Sequence, residues 1–124
     1  MQTAKSGVIK PLLCGDVYWV RLDPVEGHEK GKTRPAVIIQ NNLINEVSPL
    51  VVVAVITSRK IVPKKMRFMV EVDKGEGSLD QDSYVDCAQI RTVDHVRLQG
   101  KIGSLSREKM AEVKKAVDFV LDIK

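Results

Sequence analysis

Apolar residues fall in short bursts along most of this chain and take a helical spacing only at its end. GDVYWVRLD, residues 15–23, reads as a strand opened by a glycine turn. PAVIIQNN, residues 35–42, is a second strand, which Pro35 can start because its missing N–H does no harm there. PLVVVAVITS, residues 49–58, is the most apolar run and is expected at the centre of a sheet. MRFMVEVD, 66–73, alternates as a half-exposed strand, and GEGS, 75–78, is a turn. SYVDCAQIRTV, 83–93, carries one or two more strands, DHVRL a short helical turn, and GKIGSL, 100–105, a last strand.

The end of the chain follows another period. Met110, Val113, Val117 and Val120 are spaced by 3, 4 and 3 residues, with Leu121 beside them, which marks an amphipathic helix. Ser106 can cap it and Glu108 suits its positive first turn. Five to seven short strands and one terminal helix, without strand–helix alternation, imply a mainly β domain: a small antiparallel barrel or curled sheet with the helix packed on it. Residues 1–14 read as a loose lead-in and 15–124 as a single domain.

Composition narrows the picture modestly. The chain has 124 residues, 44% hydrophobic and 29% charged, which suits one domain with one real core. With only 4% aromatics, that core must be aliphatic. A net charge of +4 leans toward a polyanionic partner. Cys14 and Cys87 lack metal-ligand spacing and read as small, reduced, partly buried thiols of a cytoplasmic protein. No stretch resembles a signal peptide or a membrane span. The two histidines, His28 and His95, offer no metal-like spacing, so neither a metal nor a cofactor is expected.

What remains is polar groups at strand ends. Glu29 and Arg34 lie in the loop 26–34, and the central run ends in Thr57-Ser58. The segment 57–67 carries Arg59, Lys60, Lys64, Lys65 and Arg67, dense charge that is either a surface tracking single-stranded nucleic acid or a solvated loop. Tyr18 and Trp19 read as core and sheet-face residues rather than base-stacking platforms.

Several separated blocks share one order: GDVYWVRLDPVEGHEKGKTRPAVIIQN, VVVAVITS, QIRTVDHVRL and GKIGSLSREKMAEVKKAV. Together they resemble the MazF/PemK family of toxin endoribonucleases, from about Gly15 onward. The resemblance rests on Gly15-Asp16, Leu22-Asp23-Pro24, Gly27, Glu29 and Arg34-Pro35. It implies an SH3-like barrel with a C-terminal helix, working as a homodimer that cleaves single-stranded RNA at short sequences without metal. It also implies a cognate antitoxin whose acidic, flexible tail fills the RNA groove. By the same resemblance Arg34 and Thr57 form the central catalytic pair, Glu29 lies in the preceding loop, and Gln89 and Arg91 lie near the site. Two positions depart from the pattern. Ala88 stands where relatives often carry an acid, and His28, a candidate substrate contact, stands where serine is common.

These residue types suit that chemistry. The 2′-hydroxyl of RNA can attack its own phosphate if it is aligned, deprotonated and given a counter-charge. Arg34 can offer fork-shaped hydrogen bonds to phosphoryl oxygens. Thr57 can bond a phosphate oxygen or the 2′-hydroxyl, and Glu29 can accept the proton. Two other classes compete: a CcdB-like gyrase-poisoning toxin, against which the tryptophan-free end LDIK argues, and a non-catalytic RNA-binding barrel.

Overall fold

In the computed structural model, which describes residues 11–22, 32–62 and 64–124, the apolar runs become six strands of one sheet. They are β1 (Asp16–Arg21), β2 (Thr33–Ile38), β3 (Leu50–Ser58), β4 (Met69–Val72), β5 (Ser83–Asp94) and β6 (Leu98–Ser104). Their order is β4-β5-β3-β2-β1-β6, and every neighbouring pair is antiparallel. A short helix, α1 (Asn42–Asn45), follows β2, and α2 (Arg107–Leu121) lies near the C-terminus. This is the mainly β class with a C-terminal helix that the patterning implies.

The boundaries carry local physics. β2 starts at Thr33, so Pro35 lies inside it rather than at its start. Proline is tolerated there because it faces Trp19 of β1, while pairing with β3 begins one residue later, at Ala36. Asn41 and Asn42 leave the strand for α1, because the Asn41 side chain accepts the Leu43 N–H at 2.7 Å and so caps the turn. Segment 83–94 is one twelve-residue strand. It stays continuous through a bulge: Ala54 pairs with Ile90, but its neighbour Val55 pairs with Asp86. The extra residues bend β5 and curl the sheet.

Both faces of the sheet are apolar. One is built from Val17, Val37, Ala54, Ile56 and Val85 and is covered by Val113 and Ala116 of α2. The opposite face gathers Val20, Ala36, Ile38, Val51, Val53 and Val93 with Leu12. Leu12 is 7% exposed, and the Cys14 N–H donates to Asn42 Oδ1 at 2.7 Å, so within 11–14 of the expected loose lead-in Leu12 is packed and Cys14 is tied to α1 by its backbone. Residues 1–10 lie outside the described residues. Cys87 is buried, and Cys14, expected to be partly buried, is exposed.

In α2 the Ser106 hydroxyl accepts the Lys109 N–H at 3.1 Å, which satisfies one orphan donor of the first turn. The apolar stripe holds through Met110, Val113 and Val117 with Ala116, but Val120 and Leu121 stay exposed because the helix outruns the sheet.

The curl brings the turn 76–78 against β6. A methyl group on Gly103 would lie inside contact distance of the Gly77 carbonyl oxygen and 2.7 Å from its carbon. Backbone cannot yield as a flexible side chain does. Gly103→Ala should therefore cost about 2 kcal/mol, the scale of overpacking a core. Gly100→Ala, with nothing within 4 Å, should stay within about 0.5 kcal/mol of the parent. Urea midpoints of the two variants check this.

Candidate functional site

β2 and β3 pair through Ala36–Val55, Val37–Ala54 and Ile38–Val53, and there the ladder stops. Pro35 offers no N–H to extend it. Followed two residues further, the same register stands Arg34 opposite Thr57 at a strand mouth. Opposed residues of an antiparallel pair share a face, and alternate residues repeat it. Arg34, Ala36 and Ile38 therefore share the face of Thr57, Val55 and Val53. β5 extends it, since Thr57 pairs with Tyr84, Val55 with Asp86 and Val53 with Arg91. The face is apolar at the Val51–Ile38 end and polar at the Arg34–Thr57–Asp86 end.

Exposure grades across it. Thr57 is 4% exposed and Asp86 6%. Arg34 and Gln89 are half-buried, and Arg91 is exposed. Asp86 was not singled out by motif, yet it organises the bulge. Its Oδ1 accepts the Ala88 N–H at 3.0 Å and its Oδ2 accepts Gln89 Nε2 at 2.8 Å. The departure at Ala88 thus coincides with a carboxylate supplied from within the same bulge. The signal was present as an acid in an otherwise apolar strand run. Burial, with the Asp86 charge beside it, pushes the Cys87 thiol up to about 12, so Cys87 stays protonated and apolar in character.

The register sets Arg34, Thr57 and, through Asp86, Gln89 at the polar end, while Arg91 lies beside Val53 toward the apolar end, and the basic segment is divided. Arg59 is turned inward: its Nη2 bonds Asp73 Oδ1 at 2.9 Å, its Nε bonds the Ser83 carbonyl at 3.2 Å, and its guanidinium lies 5.5 Å from the Tyr84 ring centre. An arginine so engaged is a pin between strands rather than an open phosphate contact. Arg67 stacks 4.3 Å from the Phe119 ring of α2, on the helix-covered side of the sheet. Lys65 borders the same groove as Arg67 and Phe119. Lys60 and Lys64 are exposed. The five cations therefore do not form one surface. His28 and Glu29 lie outside the described residues.

Beside the strand mouth is a pocket of about 370 Å³ bordered by Arg34, Pro35, Trp19, Ser58 and Gln81. Ser58 Oγ donates to Gln81 Oε1 at 2.9 Å and ties the end of β3 to the loop before β5. Trp19, expected to be a core or sheet-face residue, is 42% exposed here because the helix does not reach this end of its face. No helix among the described residues is long and apolar enough to cross a membrane.

Residues 13–121 match the family described as PemK-like, MazF-like toxin of type II toxin–antitoxin system. The chain is 48% identical to a protein of Staphylococcus saprophyticus named Endoribonuclease MazF, over 109 residues that cover 88% of this chain and 90% of that one. It is 47% identical, with the same coverage, to the Staphylococcus epidermidis protein of that name. Among solved structures, the Mycobacterium tuberculosis toxin MazF-mt6 superposes with a TM-score of 0.73 at 25% identity, covering 88% of this chain and 98% of that one. A MazE–MazF structure from Deinococcus radiodurans gives a TM-score of 0.73 at 24% identity, covering 90% and 96%.

If Arg59 is a pin, Arg59→Ala should lower stability by about 1 kcal/mol through its lost hydrogen bonds and ring contact. Lys64→Ala should move it by less than about 0.5 kcal/mol. Equal urea midpoints for the two variants would refute the division of the segment.

Proposed function

The chain belongs to the PemK-like, MazF-like toxin family of type II toxin–antitoxin systems, and from that premise we propose how it acts on RNA and with whom. It is an endoribonuclease, as its staphylococcal relatives are named. Its substrate is single-stranded messenger RNA, cut at a short sequence in the cytoplasm without a metal ion. It works as a homodimer and is restrained by an antitoxin whose acidic, flexible tail competes for the RNA surface. The observation that supports this reading is the β2–β3 register, which, extended two residues past Ala36–Val55, sets Arg34 and Thr57 against each other.

The step is a transesterification. The 2′-oxygen attacks the adjacent phosphorus, the bond to the 5′-oxygen breaks, and the proton leaving the 2′-hydroxyl is matched by one delivered to the 5′-oxygen. Arg34, half-buried and held between β1 and the end of the β3 ladder, meets the charge that builds on the phosphoryl oxygens. Arginine stays protonated, so its part is charge and hydrogen bonding rather than proton acceptance. Thr57 offers a hydroxyl to the phosphate or the 2′-hydroxyl. Glu29 is the proton acceptor in this reading. Gln89 and Arg91 meet the RNA on the flank of the bulge, and Lys60 and Lys64 meet its backbone.

Incubation with a long single-stranded RNA in EDTA should give discrete fragments with 2′,3′-cyclic phosphate and 5′-hydroxyl ends. A substrate with a 2′-deoxy sugar at the cut should bind and remain whole. Binding without fragments from an all-ribose RNA would make the protein a passive RNA-binding module.

Arg34→Ala should leave the fold intact, since the residue adds little to either core. Single-turnover rate should fall by at least ~10²-fold, the scale of one preorganised donor. Arg34→Lys should recover little of it, because a point charge does not replace a bidentate fork. A folded Arg34→Ala protein that cuts at near-parental rate would remove Arg34 from the mechanism.

A further inference from the structure

Asp86 is an acid with 6% exposure whose hydrogen bonds, among the described residues, both come from its own bulge. One oxygen holds the Ala88 N–H and fixes the bulge backbone. The other holds the Gln89 side chain at 2.8 Å. A carboxylate with both oxygens accepting leaves Gln89 one choice: its Nε2 must turn inward. Gln89 Oε1 then points away from Asp86, on a half-exposed residue, and takes no bond among the described residues. Asp86 shares its sheet face with Arg34 and Thr57 by the β2–β3–β5 register. The bulge thus presents an oriented acceptor beside the strand mouth.

We propose that Asp86 is a positioning residue that sets the polarity of Gln89, so that one position of the cut sequence favours a base with an amino group at C6 of a purine or C4 of a pyrimidine. That position takes adenine or cytosine over guanine or uracil, whose corresponding groups are carbonyl oxygens. The proposal rests on the reading of this face as the RNA site. Gln89 discriminates because it arrives with its amide already oriented; an unheld glutamine presents either end.

Asp86→Asn keeps an oxygen for the Ala88 N–H and the volume of the side chain. It turns an NH2 toward Gln89, which must then bring Oε1 inward and present Nε2. The preference at that position should invert toward guanine and uracil, by about tenfold, the effect of one oriented hydrogen bond. Asp86→Asn combined with Gln89→Glu reverses the inward bond, with a carboxylate oxygen accepting from the amide NH2, and restores an outward oxygen, so the original preference should return. Two readouts serve: sequencing of fragment 5′ ends, and binding of short single-stranded RNAs that differ at one base. If the parent protein leaves RNA whole, the nuclease reading fails, and the binding panel still decides the role of Asp86. Unchanged preference in a folded Asp86→Asn protein overturns the proposal, as does a double variant that fails to recover it. Should Asp86→Asn not fold, Gln89→Leu decides: lost discrimination at that one position supports the proposal, and retained discrimination overturns it.

Discussion

The register of β3 against its two neighbours is the constraint on which the site depends. A slip of one residue would exchange the faces of every side chain on the strand. Valine at 51, 53 and 55 faces one way and Ala54 and Ile56 the other, and both sets are buried. Apolar character on both faces leaves the run itself poorly keyed. The keys lie at its ends and in its partners. Gln40 donates to the Leu50 carbonyl at 3.0 Å at one end, and Ser58 bonds Gln81 at 2.9 Å at the other. The bulge in β5 then allows a single strand to satisfy β3 along its whole length and still bend away to pair with β4. Arg34, Thr57 and Asp86 share a face only because these anchors hold.

A buried acid in such a bulge is costly unless it is bonded. Asp86 is bonded by groups that the bulge itself brings within reach, so the local irregularity and the polar group support each other. Asp16 shows the same logic elsewhere. It is 4% exposed and accepts from the Leu13 N–H at 3.1 Å and the Ser104 hydroxyl at 2.9 Å, with Lys101 Nζ 3.4 Å away. There the acid joins the start of β1 to the end of β6. Among the described residues, Asp16 and Asp86 are thus buried carboxylates next to an irregularity of the ladder.

The strands and the terminal helix were legible in the sequence because apolar runs and a period near four residues come directly from burial. The segment 83–93 was not fully legible: a bulge leaves no mark in composition, so one long strand reads as one or two. Pro35 was legible as a residue of strand β2 but not as an interior one, since its tolerance depends on which neighbour fails to pair with it. At the site, Arg34 and Thr57 were reached through the family pattern, and the alignment of strands that puts them opposite each other is a tertiary fact. Asp86 escaped because an acid inside a strand usually marks the wet face. Arg59 read as one cation among five because pairing with Asp73, fourteen residues on, depends on how β3 and β4 return to the same edge.

Those pairings also sort the cations by what they are able to do. Arg59 has its charge met by Asp73, Lys101 by Asp16 and Lys109 by Glu112. A cation already facing a carboxylate must give up that partner before it holds a phosphate, and the exchange returns little in water. Arg34 and Arg91 have no ion-pair partner among the described residues. Arg34 is moreover half-buried, where its charge is less screened than at an open surface. Among the described residues Arg34 has no carboxylate to release before it meets an anion, whereas Arg59 has one. Arg59, held by Asp73 and the Ser83 carbonyl, thereby serves the scaffold of this sheet.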